Sequence, residues 1–208
     1  MLLYTDGIKL RRLHVDKKGI RVLGLAESFN QKDLRSNWSG IVMRRDLVVD
    51  GVSFGSSTIE GNDATDNIVN MWKKLNRNDI GCIFLDGLVV SMYNIIDGRS
   101  ICEITGLPVV AITFRDSKGL EGSIRYHFCT QSTDRIRRYN MLGDREPVLL
   151  KTGKKIFIRY WGSSYEIVTT LLNSFTLQGS IPEPIRLAKL IARESGRYFM
   201  KMQNKSHY

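Results

Sequence analysis

Apolar positions in the first third of the chain fall in short extended runs. Gly19 to Phe29, GIRVLGLAESF, is rich in apolar and β-tolerant residues and reads as a largely buried strand. Two more runs follow in NWSGIVMRRDLVVDGVSFGSSTIE, around Ile41 to Met43 and Leu47 to Phe54. Short connections join antiparallel neighbours, so a three-stranded meander is expected.

The period then changes. In NDATDNIVNMWKKL, Ile68, Met71, Trp72 and Leu75 recur at helical spacing. Asn62 or Asp63 is placed to cap that helix, and Asp66 falls in its first turn, where a carboxylate suits the helix dipole. CIFLD follows as a strand. The apolar stretch after it predicts a helix over Val89 to Thr105, stopped by Gly106. PVVAITFR is another short apolar run and predicts a buried strand. Strand, helix, strand at this spacing makes a βαβ unit with parallel strands.

Beyond it, STDRIRRYNMLG predicts a basic helix, and VLLKTGKKIFIRYWG a hairpin turning at Thr152-Gly153-Lys154. SSYEIVTTLLNSFTLQG predicts a helix led by Ser163 or Ser164. PEPIRLAKLIARESG predicts a last helix, entered at Pro182 and Pro184 and left at Gly196. No repeat, low-complexity tract or linker interrupts the pattern, so one domain over residues 1–208 is expected.

Composition narrows the class. A 42% hydrophobic and 25% charged chain of 208 residues can build a real core. No apolar run nears the roughly 20 residues of a membrane span. MLLYTDGIKLRRLH turns to charge too soon for a signal peptide, so a cytoplasmic protein is expected. Cys82, Cys102 and Cys129 lack the spacing of a zinc or disulfide framework and read as small buried hydrophobes. The formal charge of +10 points to a polyanionic partner, DNA or RNA first. The bland reading of that charge is a solvated basic surface.

Three antiparallel strands followed by β-α-β is the order of an RNase H-like core: an α/β mixed sheet flanked by helices. In that order the first strand and the later parallel strand lie side by side, and acids near their ends can meet. Glu27 lies toward the end of the first strand, Glu60 follows the third run, and Asp86 ends CIFLD, where Gly87 allows close approach of a ligand. Asp97 is a fourth candidate, as a ligand or as the residue that interrupts the helix at Asp97-Gly98. Such oxygen donors suit Mg²⁺ or Mn²⁺ and phosphodiester cleavage by activated water. Each acid also has a plain structural reading as a turn, cap or solvated carboxylate.

The stretches VLGLAESF, TIEGNDAT, FLDGLVVSMYNIID, TGLPVVAITFR and SIPEPIRLAKLIARESG, in this order, resemble the archaeal DUF99 (UPF0215) proteins, relatives of endonuclease V. The resemblance covers about Gly19 to Arg197. It implies that Asp86 is the site acid on the central parallel strand and Glu60 the second carboxylate. It also implies an aspartate where this chain has Ala26 in Gly24-Leu25-Ala26-Glu27. Adjacent strand residues face opposite ways, so Glu27 does not simply replace that acid. There is no Pro-Tyr wedge ahead of Glu60 and no histidine soon after Asp86; His14, His127 and His207 lie elsewhere.

Basic segments add Arg135, Arg137 and Arg138 beside Tyr139, then Lys151, Lys154 and Lys155 around the hairpin tip. Cations interleaved with aromatics suit single-stranded nucleic acid. Tyr160 and Trp161 are expected in the core instead. The leading expectation is a metal-dependent nuclease with Glu60, Asp86 and Glu27 as catalytic residues and Glu27, Glu60, Asp86 and Asp97 as metal ligands. The alternative is a nucleic-acid-binding protein whose catalysis is impaired through Ala26. A module contacting an acidic protein is a third, weaker reading.

Overall fold

A computed structural model describes residues 2–5, 8–11, 13, 15, 17, 19–30, 33–116 and 119–205. Among them a seven-stranded mixed sheet carries the fold. It is built from β3 (Arg21–Ser28), β4 (Arg35–Arg44), β5 (Val49–Thr58), β6 (Ile80–Asp86), β9 (Val109–Thr113), β10 (Glu146–Leu149) and β11 (Lys155–Trp161). The spatial order is β10-β11-β9-β6-β3-β4-β5. β3, β6 and β9 run parallel, while β4, β5, β10 and β11 pair antiparallel. The meander and the βαβ unit therefore stand as expected, and so does the RNase H-like order. Two small hairpins lie outside the sheet: β1 (Leu2–Thr5) with β2 (Ile8–Arg11), and β7 (Val89–Val90) with β8 (Asn94–Ile95).

Helices cover both faces, which is why the central strands are continuously apolar rather than alternating. On one face α1 (Ala64–Leu75) and α2 (Gly98–Thr105) pack with Leu23, Leu25, Trp38, Ile83 and Leu85. On the other, α5 (Tyr165–Ser174) and α6 (Glu183–Lys205) close over Val22, Ala26, Phe84 and Val110 through Phe175, Ile185 and Ala188. The helix α3 (Glu121–Phe128) and the basic helix α4 (Ser132–Asn140) sit beyond β9. α3 was not legible in the pattern, because only Ile124 of its residues is buried.

Two features bring α6 hard against the sheet. A side chain at Gly24 would meet Pro184 at 2.6 Å, so glycine is what lets the first turn of α6 touch β3. The Ser39 hydroxyl donates to the Ala188 carbonyl at 2.7 Å, fixing the helix one residue before Lys189.

Several expectations are corrected. Val89 to Thr105 is not one helix. The chain forms the β7–β8 hairpin, and α2 begins only at Gly98, capped by Asp97, whose carboxylate accepts from the Ser100 N–H at 3.0 Å. The turn of that hairpin, Ser91, Met92 and Tyr93, has positive φ at all three residues (41°, 55° and 68°), a conformation closed to a right-handed helix. α6 continues through Gly196 to Lys205; this glycine makes room for the Asn37 side chain rather than ending the helix. Cys82 and Cys102 are buried as expected, but Cys129 is exposed. Asp63 is the residue before α1, yet its carboxylate binds the Thr58 N–H and hydroxyl instead of the first turn. Among the described residues no helix is long and apolar enough to cross a membrane.

Candidate active site at the carboxyl edge of the sheet

Parallel strands finish at the same edge. β3 ends near Glu27 and β6 at Asp86, while β5, antiparallel to β4, also ends here and delivers Glu60. β11 begins at this edge, because Phe157 lies opposite Thr113 at the end of β9. The Lys151–Lys155 tip of the β10–β11 hairpin therefore shares the edge with the acids. Loops at strand ends escape the ladder and are where an α/β sheet presents chemistry.

The acids do not share a face. Phe84 packs toward α5 and α6, and Leu85 toward α1 and α2, so alternation turns Asp86 toward α6. There Lys189 of α6 meets it, with Nζ 2.8 Å from Oδ2 and 3.0 Å from Oδ1. Burial pushes the Asp86 carboxyl up from its ordinary value, and the Lys189 ammonium pulls it back down. The ammonium also lies 5.1 Å from the centre of the Phe114 ring, within cation–π range.

Glu27 points the other way. Its carboxylate accepts from the Ser91 N–H at 2.6 Å and from the Ser91 hydroxyl. That hydroxyl belongs to a buried cluster with Ser36 and Ser57, to which the Trp38 indole N–H donates at 3.1 and 2.8 Å. Burial raises the Glu27 carboxyl above its ordinary value; the Ser91 hydrogen bonds oppose this, and the charge of Asp86 adds a smaller upward push. Ser91 also joins Glu27 to the Glu60 loop, since the Glu60 N–H donates to the Ser91 carbonyl at 2.8 Å.

Glu60 sits at positive φ (59°), and its carboxylate contacts His127 Nε2 at 2.6 Å. This histidine, far from Asp86 in sequence, reaches the edge from α3 and packs tilted against Tyr93 and edge-to-face with Phe128. His14 and His207 lie outside the described residues. Asp97 is held by the N–H and hydroxyl of Ser100 as the cap of α2. Among the described residues no three His, Cys, Asp or Glu side chains converge to hold a metal ion. Each of the four acids singled out in the sequence has its own protein partner instead.

The cations divide likewise. Arg135 is engaged within the protein: its guanidinium donates to the carbonyls of Glu60, Gly61 and Tyr93 and lies 4.1 Å over the Phe128 ring. Arg138 donates to Asn62 Oδ1 at 2.6 Å, and Arg137 pairs with Asp134 at 2.7 Å on an exposed surface. Lys151, Lys154 and Lys155 are exposed. Trp161 is half-buried against Gly98 and Tyr160 against the α5–α6 core, in keeping with their expected packing role.

Sequence reasoning missed Lys189 and Ser91. One signal for Lys189 was present. Ile185, Ala188 and Ala192 form the buried stripe of α6, and residue 189 falls on it at i+4 from Ile185. A lysine on an apolar stripe needs a buried partner.

A mixed α/β sheet of this order, with acids at the carboxyl edge of its parallel strands, is the architecture of endonuclease V-like, RNase H-like proteins. The Endonuclease dU family model matches residues 18–195, and the chain belongs to that family. A UPF0215 protein of Pyrobaculum calidifontis is 36% identical over 180 residues, covering 86% of this chain and 98% of the relative. One from Thermococcus kodakarensis is 31% identical over 85% of this chain and 92% of the relative. Among solved structures, an Archaeoglobus fulgidus protein of unknown function aligns at TM-score 0.71 and 26% identity, covering 83% of this chain and 96% of that one. Human ENDOV aligns at TM-score 0.60 and 17% identity, with 88% and 86% covered, a likeness of fold.

Proposed function

We propose that this chain is an endonuclease of the endonuclease V type, hydrolysing phosphodiester bonds in DNA or RNA, with Asp86 as its central acid. One observation carries the reading. A single edge of the sheet gathers Asp86, Glu27 and Glu60 together with Lys189 and the exposed Lys151, Lys154 and Lys155. Cations beside ionisable carboxylates are what a phosphodiester substrate and its hydrolysis require. Family membership and the fold support the same reading, and a Ciona intestinalis endonuclease V of this fold was solved in complex with DNA containing an inosine.

Within this reading Asp86 orients or deprotonates the attacking water, and Lys189 both fixes that carboxylate and offers a cation to the phosphate. Glu27 and Glu60 shape the loop wall through Ser91. The residues as placed do not fit a preformed cradle for Mg²⁺ or Mn²⁺, because Asp86 and Glu27 face opposite sides of the sheet and each is already engaged. The divalent ion therefore enters as a variable to be measured.

The test uses end-labelled single- and double-stranded DNA and RNA, undamaged or carrying deoxyuridine or inosine, with Mg²⁺, Mn²⁺ or EDTA. The family's name makes deoxyuridine DNA the first substrate. Cleavage is expected, and its loss in Asp86→Ala. Cleavage that survives Asp86→Ala places the chemistry elsewhere.

A second reading, a nucleic-acid-binding protein without catalysis, draws on Ala26. Its methyl lies buried in the α5–α6 core, so position 26, the neighbour of Asp86 across the parallel pairing, supplies no second acid there. Binding of all these substrates with cleavage of none would decide for it.

A further inference from the structure

The pairing of Asp86 has a consequence that deepens the function proposed above and rests on the same site. β3 and β6 run parallel with Leu25 beside Leu85, so position 26 lies beside position 86. Both positions face α6. Beside each other there stand the Asp86 carboxylate, the Ala26 methyl group and the Lys189 ammonium, while the buried Glu183 carboxylate of α6 is paired with Arg186.

We propose that Lys189 is the resident counter-cation of Asp86, standing where a divalent ion would otherwise bind that carboxylate. The local charge is then balanced without an ion. Both oxygens of Asp86 lie within reach of the same nitrogen, at 2.8 and 3.0 Å, so the ammonium takes up the edge of the carboxylate that would chelate an ion. A hard cation prefers anionic oxygen donors, and a site of net zero charge gives it little to gain until the lysine withdraws.

The lysine is built in rather than passing by. Pro184 against Gly24 and the Ser39–Ala188 hydrogen bond anchor α6 ahead of the position that carries it. Its ammonium rests near the Phe114 ring, and its position follows Ala188 beside the buried stripe of the helix. Side-chain exposures of 39% for Lys189 and 18% for Asp86 leave the pair open on one side, where a substrate phosphate can meet the ammonium.

The experiment is Mn²⁺ titration of the purified full chain, read by the electron paramagnetic resonance signal of free Mn²⁺, with no substrate present. Wild type is expected to bind weakly. Lys189→Gln, which keeps much of the length and drops the charge, is expected to bind at least about tenfold tighter, the effect of removing one unit charge about 4 Å away in a partly solvated site. Adding Asp86→Asn to Lys189→Gln should abolish the gain, and Lys189→Arg should restore weak binding. Circular dichroism confirms that each variant is folded, and the arginine variant supplies a charged comparison if glutamine disturbs the fold. Equal or tighter Mn²⁺ binding by wild type than by Lys189→Gln overturns the proposal. So does a gain that persists without the Asp86 charge. Because the readout is ion binding, it stands or falls separately from whether the chain cuts nucleic acid.

Discussion

The ammonium of Lys189 touches both carboxylate oxygens of Asp86 across 103 residues of sequence. Removing the lysine strands a largely buried carboxylate. A fully buried pair broken this way costs about 3–5 kcal/mol, but Lys189 is 39% exposed, so about 1–2 kcal/mol is expected for Lys189→Met by urea unfolding. Where cleavage is observed, the same variant should lose about 10²–10³-fold in rate, the scale of removing a phosphate-stabilising cation. A variant as active as wild type would remove Lys189 from the site.

Glu27 should make stability fall as the pH climbs. Burial raises its folded pKa above the ordinary 4.5, so just above pH 4.5 the native chain keeps a proton that the unfolded chain has released. Stability from this group is full below the unfolded value and is lost as the pH rises through the folded one. Glu27→Gln has no such group, and its amide oxygen still accepts from the Ser91 N–H. Urea unfolding at pH 4, 5.5 and 7 should show wild type losing ground to Glu27→Gln between the lowest and the highest pH. Parallel profiles would contradict this. Any decline left in the variant is assigned to Asp86, whose folded value is also raised, from 3.8.

Arg135 should behave as a staple for the Glu60 loop, not as a nucleic-acid ligand. It serves three carbonyls at once and lies over Phe128. Charge-assisted hydrogen bonds contribute about 1.5–3 kcal/mol, so Arg135→Ala should destabilise by about that much and speed proteolysis near Glu60. Lys cannot reproduce the planar fork, so Arg135→Lys should recover only a minor part. Unchanged proteolysis in Arg135→Ala would remove the staple role.

The hairpin lysines carry the opposite expectation. Lys151, Lys154 and Lys155 are exposed, and replacing all three with alanine should leave the melting temperature nearly unchanged. Affinity for single-stranded oligothymidylate should drop, and the slope of log K against log salt should shrink by up to about 0.7 for each phosphate that is no longer neutralised. A slope identical to wild type would take the hairpin off the binding surface.

The sequence showed what depends on local period. β3 to β5, the β6–α2–β9 unit and the amphipathic α6 were all legible from short-range spacing. The β7–β8 hairpin was not, because Val89, Val90, Ile95 and Ile96 suit either a helix or a buried hairpin, and the choice is made by distant partners. Asn94 donates to the Thr58 carbonyl, and Ser91 is gripped by Glu27, 64 residues away. The site followed the same rule. Asp86, Glu60 and Glu27 could be named from strand ends, but the residues that answer them, Lys189, His127 and Ser91, arrive from other elements. The direction of Glu27 hung on strand alternation, which placed it opposite Ala26 and away from Asp86.

The left-handed run at Ser91, Met92 and Tyr93 works as a sprung clasp. None of the three is glycine, so each would sooner relax to negative φ, and the grip of Glu27 on Ser91 helps keep it shut. Release would carry the Ser91 carbonyl from Glu60 and the Tyr93 carbonyl from Arg135 in one motion. The Glu60 loop and the Arg135 staple are thus both wired to one half-buried acid, Glu27, on the opposite side of the sheet from Asp86.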